Sequence, residues 1–277
     1  MELGVFSRTY EISDLEETYN RMTSQGIYHT QLNLSNAGMP IFPNDINEKR
    51  IDDIKRLSNQ YRITLDALTG TFNMIDPEEA ARKKGCAQFE IQCKIARLLN
   101  IPIVSLCTGS KNPESKWKWH DDNKKQSSWD DLMRTTYQIL KYAEDNHIVL
   151  GIETEASNII NTPEKARRYL DAIGSDHIKI IMDGANLFRS EQGSEMEKVL
   201  QGAFDLLGKD IALAHAKDVY FHGGMEFAAV GEGELDFKYY ISLLNQVGYQ
   251  GPLIMHGLSE AQIPSSLKFL KEIMTNA

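Results

Sequence analysis

Short apolar runs alternate with stretches of helical periodicity along the whole chain, and that unbroken alternation limits the fold more than any other feature. The strand candidates are LGVF (3–6), IYHTQLN (27–33), RITLDAL (62–68), IPIVSLC (101–107), HIVLGIE (147–153), IKIIMD (178–183), IALAHAK (211–217) and PLIMH (252–256). Between and after them, helices are expected over 13–24, 46–59, 77–99, 127–146, 163–172, 195–206, 236–247 and 260–275. Several starts are marked: Ser13 and Glu16 read as a capping box, and Asp76-Pro77 and Thr162-Pro163 each place a cap before a proline at the first helical position.

Strict β/α alternation implies parallel strands joined by crossover helices. Eight such units predict an α/β chain folded as a single (β/α)8 TIM barrel, one domain over residues 1–277. A doubly wound open sheet would bring a Gly-rich phosphate loop after its first strand, and GVFSRTYE has none. The longest aperiodic stretches, 108–123 and 219–236, follow the fourth and seventh strands. In a barrel both belong to the C-terminal rim, where sites are built.

Composition narrows the function classes. Acids outnumber Lys and Arg by 39 to 30, for a formal net charge of −9, which argues against a duplex-binding surface and favours a small polar ligand. No run approaches the roughly 18 apolar residues of a membrane span, and MELGVFSRTY has neither a basic nor an apolar leader region, so a soluble, cytoplasmic protein is expected. Cys86, Cys93 and Cys107 form no C-x-x-C pair and suit a reducing compartment.

In a barrel, side chains at the C-terminal strand ends share one mouth. Four consecutive ends carry metal-competent groups: Glu153 in LGIETE, Asp183 in IIMDGANLF, His215 in LAHAKD and His256 in LIMHGL. Each alone has a bland reading, as an ion-pair partner, a turn cap or a satisfied core histidine. Together they read as a divalent metal site of mixed nitrogen and oxygen donors, which suits Mn²⁺, Co²⁺ or Zn²⁺ better than Mg²⁺. Glu155 has the strand parity of Glu153 and is expected to face the same way. Asn73, Thr108, His120, Asn186 and Lys217 are the expected substrate contacts from neighbouring rim loops, with Trp117 and Trp119 as candidate aromatic platforms for a ligand's apolar face.

At these residues the chain resembles the xylose isomerase-like TIM barrels of the sugar phosphate isomerase/epimerase group, which is similar in turn to ketose 3-epimerases, inosose dehydratases and endonuclease IV. The marks are the glutamate ending strand five, Asp183 in MDGANLF, the H-x-K-D pattern His215–Asp218 and the GEGELD turn (231–236). The resemblance spans essentially the whole chain and implies Glu153, Asp183 and His215 as metal ligands. It also implies a small sugar, sugar acid or cyclitol as substrate, free or phosphorylated, and isomerase or epimerase chemistry through a metal-stabilised enediolate. A homo-oligomer is compatible with it.

The chain departs from this pattern at its last strand, where the epimerases carry a glutamate ligand and His256 stands instead. His256 is read as the fourth ligand by position, and with Glu153 and Glu155 as a catalytic group. The change weakens two-sided epimerisation against one-sided isomerisation or dehydration, because a metal-bound imidazole takes no proton through its bound nitrogen. A non-catalytic sugar-binding barrel is the alternative from another class. An endonuclease IV-like activity would need a multi-metal site with further histidines and a DNA-contacting surface, against which stand seven His in all and an acidic balance.

Overall fold

The structure is a computed structural model that describes residues 1–189, 193–222 and 224–276. The predicted strands form as β1 (Leu3–Phe6), β2 (His29–Leu32), β3 (Thr64–Thr69), β4 (Ile103–Cys107), β5 (Val149–Glu153), β6 (Ile178–Asp183), β7 (Ile211–Ala216) and β10 (Leu253–Met255). They close, all parallel, in the order β1-β10-β7-β6-β5-β4-β3-β2. A short antiparallel hairpin, β8 (Asp218–Tyr220) with β9 (Glu226–Ala228), was not anticipated and rises from the rim stretch 219–236; residue 223 of that stretch lies outside the described residues.

Helices α1 (Leu15–Ser24), α2 (Glu48–Tyr61), α3 (Glu79–Leu98), α4 (Gln126–Asn146), α5 (Pro163–Ile173), α6 (Met196–Leu207), α7 (Phe237–Gln246) and α8 (Ile263–Asn276) follow the strands they were expected to follow. Thr162 caps α5 as expected, its hydroxyl accepting from Lys165 N, with Pro163 at the first position. Two expected caps differ. Asp14, not Ser13, caps α1 by accepting from Glu17 N, because its carboxylate stands one residue nearer the first turn. Asp76 accepts from Glu78 N in a turn of its own, so α3 begins at Glu79 rather than at Pro77.

Strand side chains alternate in and out, so two apolar layers arise. Outward residues of the strands pack under the helices in the larger core, with Leu150, Ile152, Ile180 and Ala214 fully or nearly fully buried. Inward residues Ala67, Ile103, Ile181, Leu213 and Ile254 fill the cylinder as a compact plug. Gly151 belongs to this packing: a Cβ there would come within 2.7 Å of the Ile181 side chain, so only hydrogen fits. Two residues beyond plug members Ile181, Leu213 and Ile254 come Asp183, His215 and His256, and two beyond Gly151 comes Glu153. The period of the strand therefore raises a polar layer directly above an apolar floor.

Candidate metal centre at the barrel mouth

Glu153, Asp183 and His215 end β5, β6 and near-end β7, and each offers a ligand atom within 4.8 Å of the others'. His215 Nδ1 lies 3.5 Å from Glu153 Oε1 and 3.8 Å from Asp183 Oδ2. Asp183 is wholly buried and His215 is 1% exposed, yet Asp183 Oδ2 and His215 Nδ1 have no hydrogen-bond partner. Buried polar atoms are almost always satisfied, and leaving one unmade costs about 1–3 kcal/mol. Two such atoms aimed at one point, beside a third donor, fit a cation.

The surrounding groups fix the cluster. Gln31 Oε1 accepts from His215 Nε2 at 2.9 Å, which turns Nδ1 toward the carboxylates, the arrangement a ligating imidazole needs from its outer partner. Asn186 Nδ2 donates to Glu153 Oε1 at 2.7 Å, and Asp183 Oδ1 accepts from Ala185 N at 3.0 Å. The Tyr240 hydroxyl sits between the carbonyls of Met182 and His215, at 2.8 and 3.1 Å, and ties β6 to β7 beneath their ligands. Lys217 Nζ lies 3.2 Å from Asp183 Oδ2 and donates to Asn186 Oδ1 at 2.6 Å.

Burial alone would raise the Asp183 carboxyl and lower the Lys217 ammonium. Their mutual attraction overcomes it, so Lys217 holds Asp183 well below the usual carboxylate range, and Asp183, ahead of Glu153 and Glu155, lifts Lys217. Burial likewise works against the His215 imidazolium, but Glu153 and Asp183 raise it to about 9. His256 moves the other way: burial, then the neighbouring His215 and Lys217, push it down to about 3, leaving a neutral ring. Burial and the Glu153 carboxylate raise Glu155 to about 6.

The expected site residues divide into two groups. Glu153, Glu155, Asn186, His215, Lys217 and His256 all line one cavity of about 580 Å³ in the mouth, with Asp183 buried just behind them. His256 contributes no atom to the three-residue ligand group; its ring stacks parallel to His215, centroids 5.1 Å apart, and its buried Nδ1 has no hydrogen-bond partner. Asn73, Thr108 and His120 lie off this cavity and hold loops. Asn73 donates to Ser110 O at 2.8 Å and accepts from Ser110 N, while Thr108 Oγ1 accepts from Ile160 N at 3.1 Å. His120 caps the 3-10 turn Asp121–Lys124 by accepting from Asp122 N. Trp117 lines the mouth, half exposed, whereas Trp119 does not.

Sequence reasoning missed Gln31, whose polar side chain inside an apolar strand was the available signal, and it missed Arg8 and Lys116, which also line the mouth. The H-x-K-D and GEGELD motifs are joined in the structure. Asp218 is the link: its carboxylate accepts from Val219 N, Gly231 N, Gly233 N and Leu235 N at 2.8–3.0 Å. Gly233 has to be glycine for this, since a Cβ would fall 2.3 Å from Asp218 Oδ1. The motif aspartate thus fastens the loop that follows β7 and keeps His215 and Lys217 in register.

Known proteins share the family and the fold. The family model described as xylose isomerase-like TIM barrel matches residues 27–273. A D-psicose 3-epimerase from Enterocloster bolteae is 30% identical over 138 residues, 48% of this chain and 42% of the relative. An inosose dehydratase from Glaesserella parasuis is 22% identical over 154 residues, 51% of each. The chain therefore spans about half the length of the curated relatives it matches. Among solved structures, a D-tagatose 3-epimerase-like protein superposes over 100% of this chain and 98% of its own, with a TM-score of 0.79 at 18% identity. IOLI protein with a bound zinc atom covers 100% and 97%, with a TM-score of 0.71 at 17% identity.

Proposed function

The chain belongs to the xylose isomerase-like TIM barrel family, and from that premise we propose that it is a metal-dependent isomerase or epimerase of a small sugar, sugar acid or cyclitol. The observation that carries this reading is a pair of buried atoms without a hydrogen bond, Asp183 Oδ2, which has the Lys217 ammonium 3.2 Å away, and His215 Nδ1, 3.8 Å apart beside Glu153. Glu153, Asp183 and His215 would hold the ion. His256 is the fourth donor in this reading, supported by its neutral ring and its unpartnered Nδ1. Zinc is named for one structural neighbour, and the mixed donor set suits Zn²⁺, Mn²⁺ or Co²⁺. When bound, such an ion is a Lewis acid toward substrate carbonyl and hydroxyl oxygens and makes the adjacent C–H more acidic.

The chain's own groups then do the proton work. Glu155 lines the mouth two residues beyond Glu153 and is the candidate to take the proton from the substrate carbon and return it. Asn186 orients Glu153, and Lys217 places a buried positive charge beside the oxygens that gain negative charge. Phe6 and the apolar plug below close the floor to water.

A chelator is expected to abolish aldose–ketose or epimer interconversion, and Mn²⁺ or Co²⁺ to restore it. Full activity of metal-loaded Glu153→Gln would refute the assignment. Dehydration is the second reading, favoured by one observation: the end of β10 carries His256 where a second-face carboxylate would stand. Deuterium uptake from D₂O without loss of water supports the first reading, and release of a dehydrated product supports the second.

A further inference from the structure

We propose that Arg8 and Lys116 form an anion subsite in the mouth, so that the sugar taken here bears a phosphate or carboxylate group remote from the carbon that reacts. The proposal rests on the reading of the mouth as a sugar site and adds the chemistry of the substrate's far end. Both side chains line the cavity that holds Glu153 and His215. Arg8 lies in the 3-10 turn Ser7–Thr9 that follows β1; it is exposed and has no hydrogen bond or ion pair among the described residues. Lys116, half-buried in the loop after β4, donates to Thr71 O at 2.9 Å and lies 5.2 Å from the centre of the Trp117 ring. Neither has a carboxylate partner, in a chain where acids outnumber Lys and Arg by 39 to 30.

The carboxylates that line this cavity, Glu153 and Glu155, both come from β5 and the loop after it, whereas Arg8 comes from the turn after β1 and Lys116 from the loop after β4. Lys217, which also lines the cavity, is already bound to Asp183 and Asn186. A guanidinium and an ammonium that line a cavity without an ion-pair partner of their own among the described residues supply the forked and point-like donors that phosphate and carboxylate oxygens take. Trp117, 52% exposed beside Lys116, presents a face to the apolar side of the intervening carbons.

Unreactive polyols test the subsite without turnover. By isothermal titration of the full chain in low salt, ribitol 5-phosphate or ribonate is expected to bind at least about tenfold more tightly than ribitol, the scale of one charge-assisted contact. Preference for the ester over the acid assigns a sugar phosphate, and the reverse assigns a sugar acid. In the double variant Arg8→Met/Lys116→Met the charged-to-neutral ratio should fall at least about fivefold, while Lys198→Met on α6 leaves that ratio unmoved. Equal binding of charged and neutral polyols, no binding of any of them, or a preference that survives the double substitution overturns the proposal. The titration is repeated after chelation, so loss of the metal-dependent reading and loss of the anion subsite give separate results.

Discussion

Charged groups on the β5–β10 side of the mouth are packed against one another, while Arg8 and Lys116 on the β1–β4 side have no ion-pair partner among the described residues. Asp183, His215 and Lys217 are 0%, 1% and 5% exposed, and each charge answers another. Arg8 has no ion-pair partner among the described residues, and Lys116 donates to the Thr71 carbonyl with no acid in ion-pair range. Stability resides in the packed side, and selectivity at the rim. A buried charge network is rigid because removing one member strands the rest in a poor solvent, whereas a solvated cation at a rim is replaced at little cost to folding.

The comparison can be broken most sharply at Asp183. Replacing it by Ala leaves the Lys217 ammonium buried without its ion-pair partner, and a loss of about 3–5 kcal/mol in urea unfolding is expected. If Asp183→Ala costs no more than an exposed rim substitution such as Arg8→Met, the two sides do not differ in the way described. The next effect concerns the loop that supports the same side. Asp218→Asn takes away carboxylate acceptance for part of a set of four backbone N–H groups, and should cost about 2–4 kcal/mol in the same measurement, with His215 geometry disturbed in turn.

The smallest effect lies low on the other side, where His29 opens β2 and its Nδ1 stands 3.0 Å from Asp66 Oδ1 on β3. The bond to Asp66 raises the His29 imidazole against the opposing effect of burial. A raised folded-state value means the contribution is complete below the unfolded histidine's ordinary value near 6.5 and disappears as pH climbs through the higher folded value. The stability advantage of the wild type over Asp66→Asn should therefore shrink from pH 6 to alkaline pH. Partial exposure limits it to below about 1 kcal/mol, and pH-resolved urea unfolding measures it.

Much of the centre was legible because it follows from periodicity. Glu153, Asp183 and His215 each close or nearly close a strand whose apolar run defines its end, and closure of eight parallel strands brings those ends together. Once Ile181 and Leu213 face inward, Asp183 and His215 must as well. Gln31 was not legible as the partner of His215, because that contact joins residues 184 apart and depends on how far two side chains reach across the mouth. Thr108 and Asn73 were assigned to substrate on loop position alone, whereas their polar atoms bind the backbone at Ile160 and Ser110. Backbone groups in a folded loop need partners, and nearby side chains meet that need first.

The sequence by itself determined the alternation, the identity of the strand-end donors and the acidic balance of the chain, since each is a property of local pattern or composition. The tertiary structure decided which donors lie within one ion's reach, which lysine pairs with Asp183, and that Arg8 and Lys116, without an ion-pair partner among the described residues, line the same cavity as Glu153. Local pattern fixes direction along a strand, but distance between loops is set by packing among segments far apart in the chain, and electrostatics depends on distance.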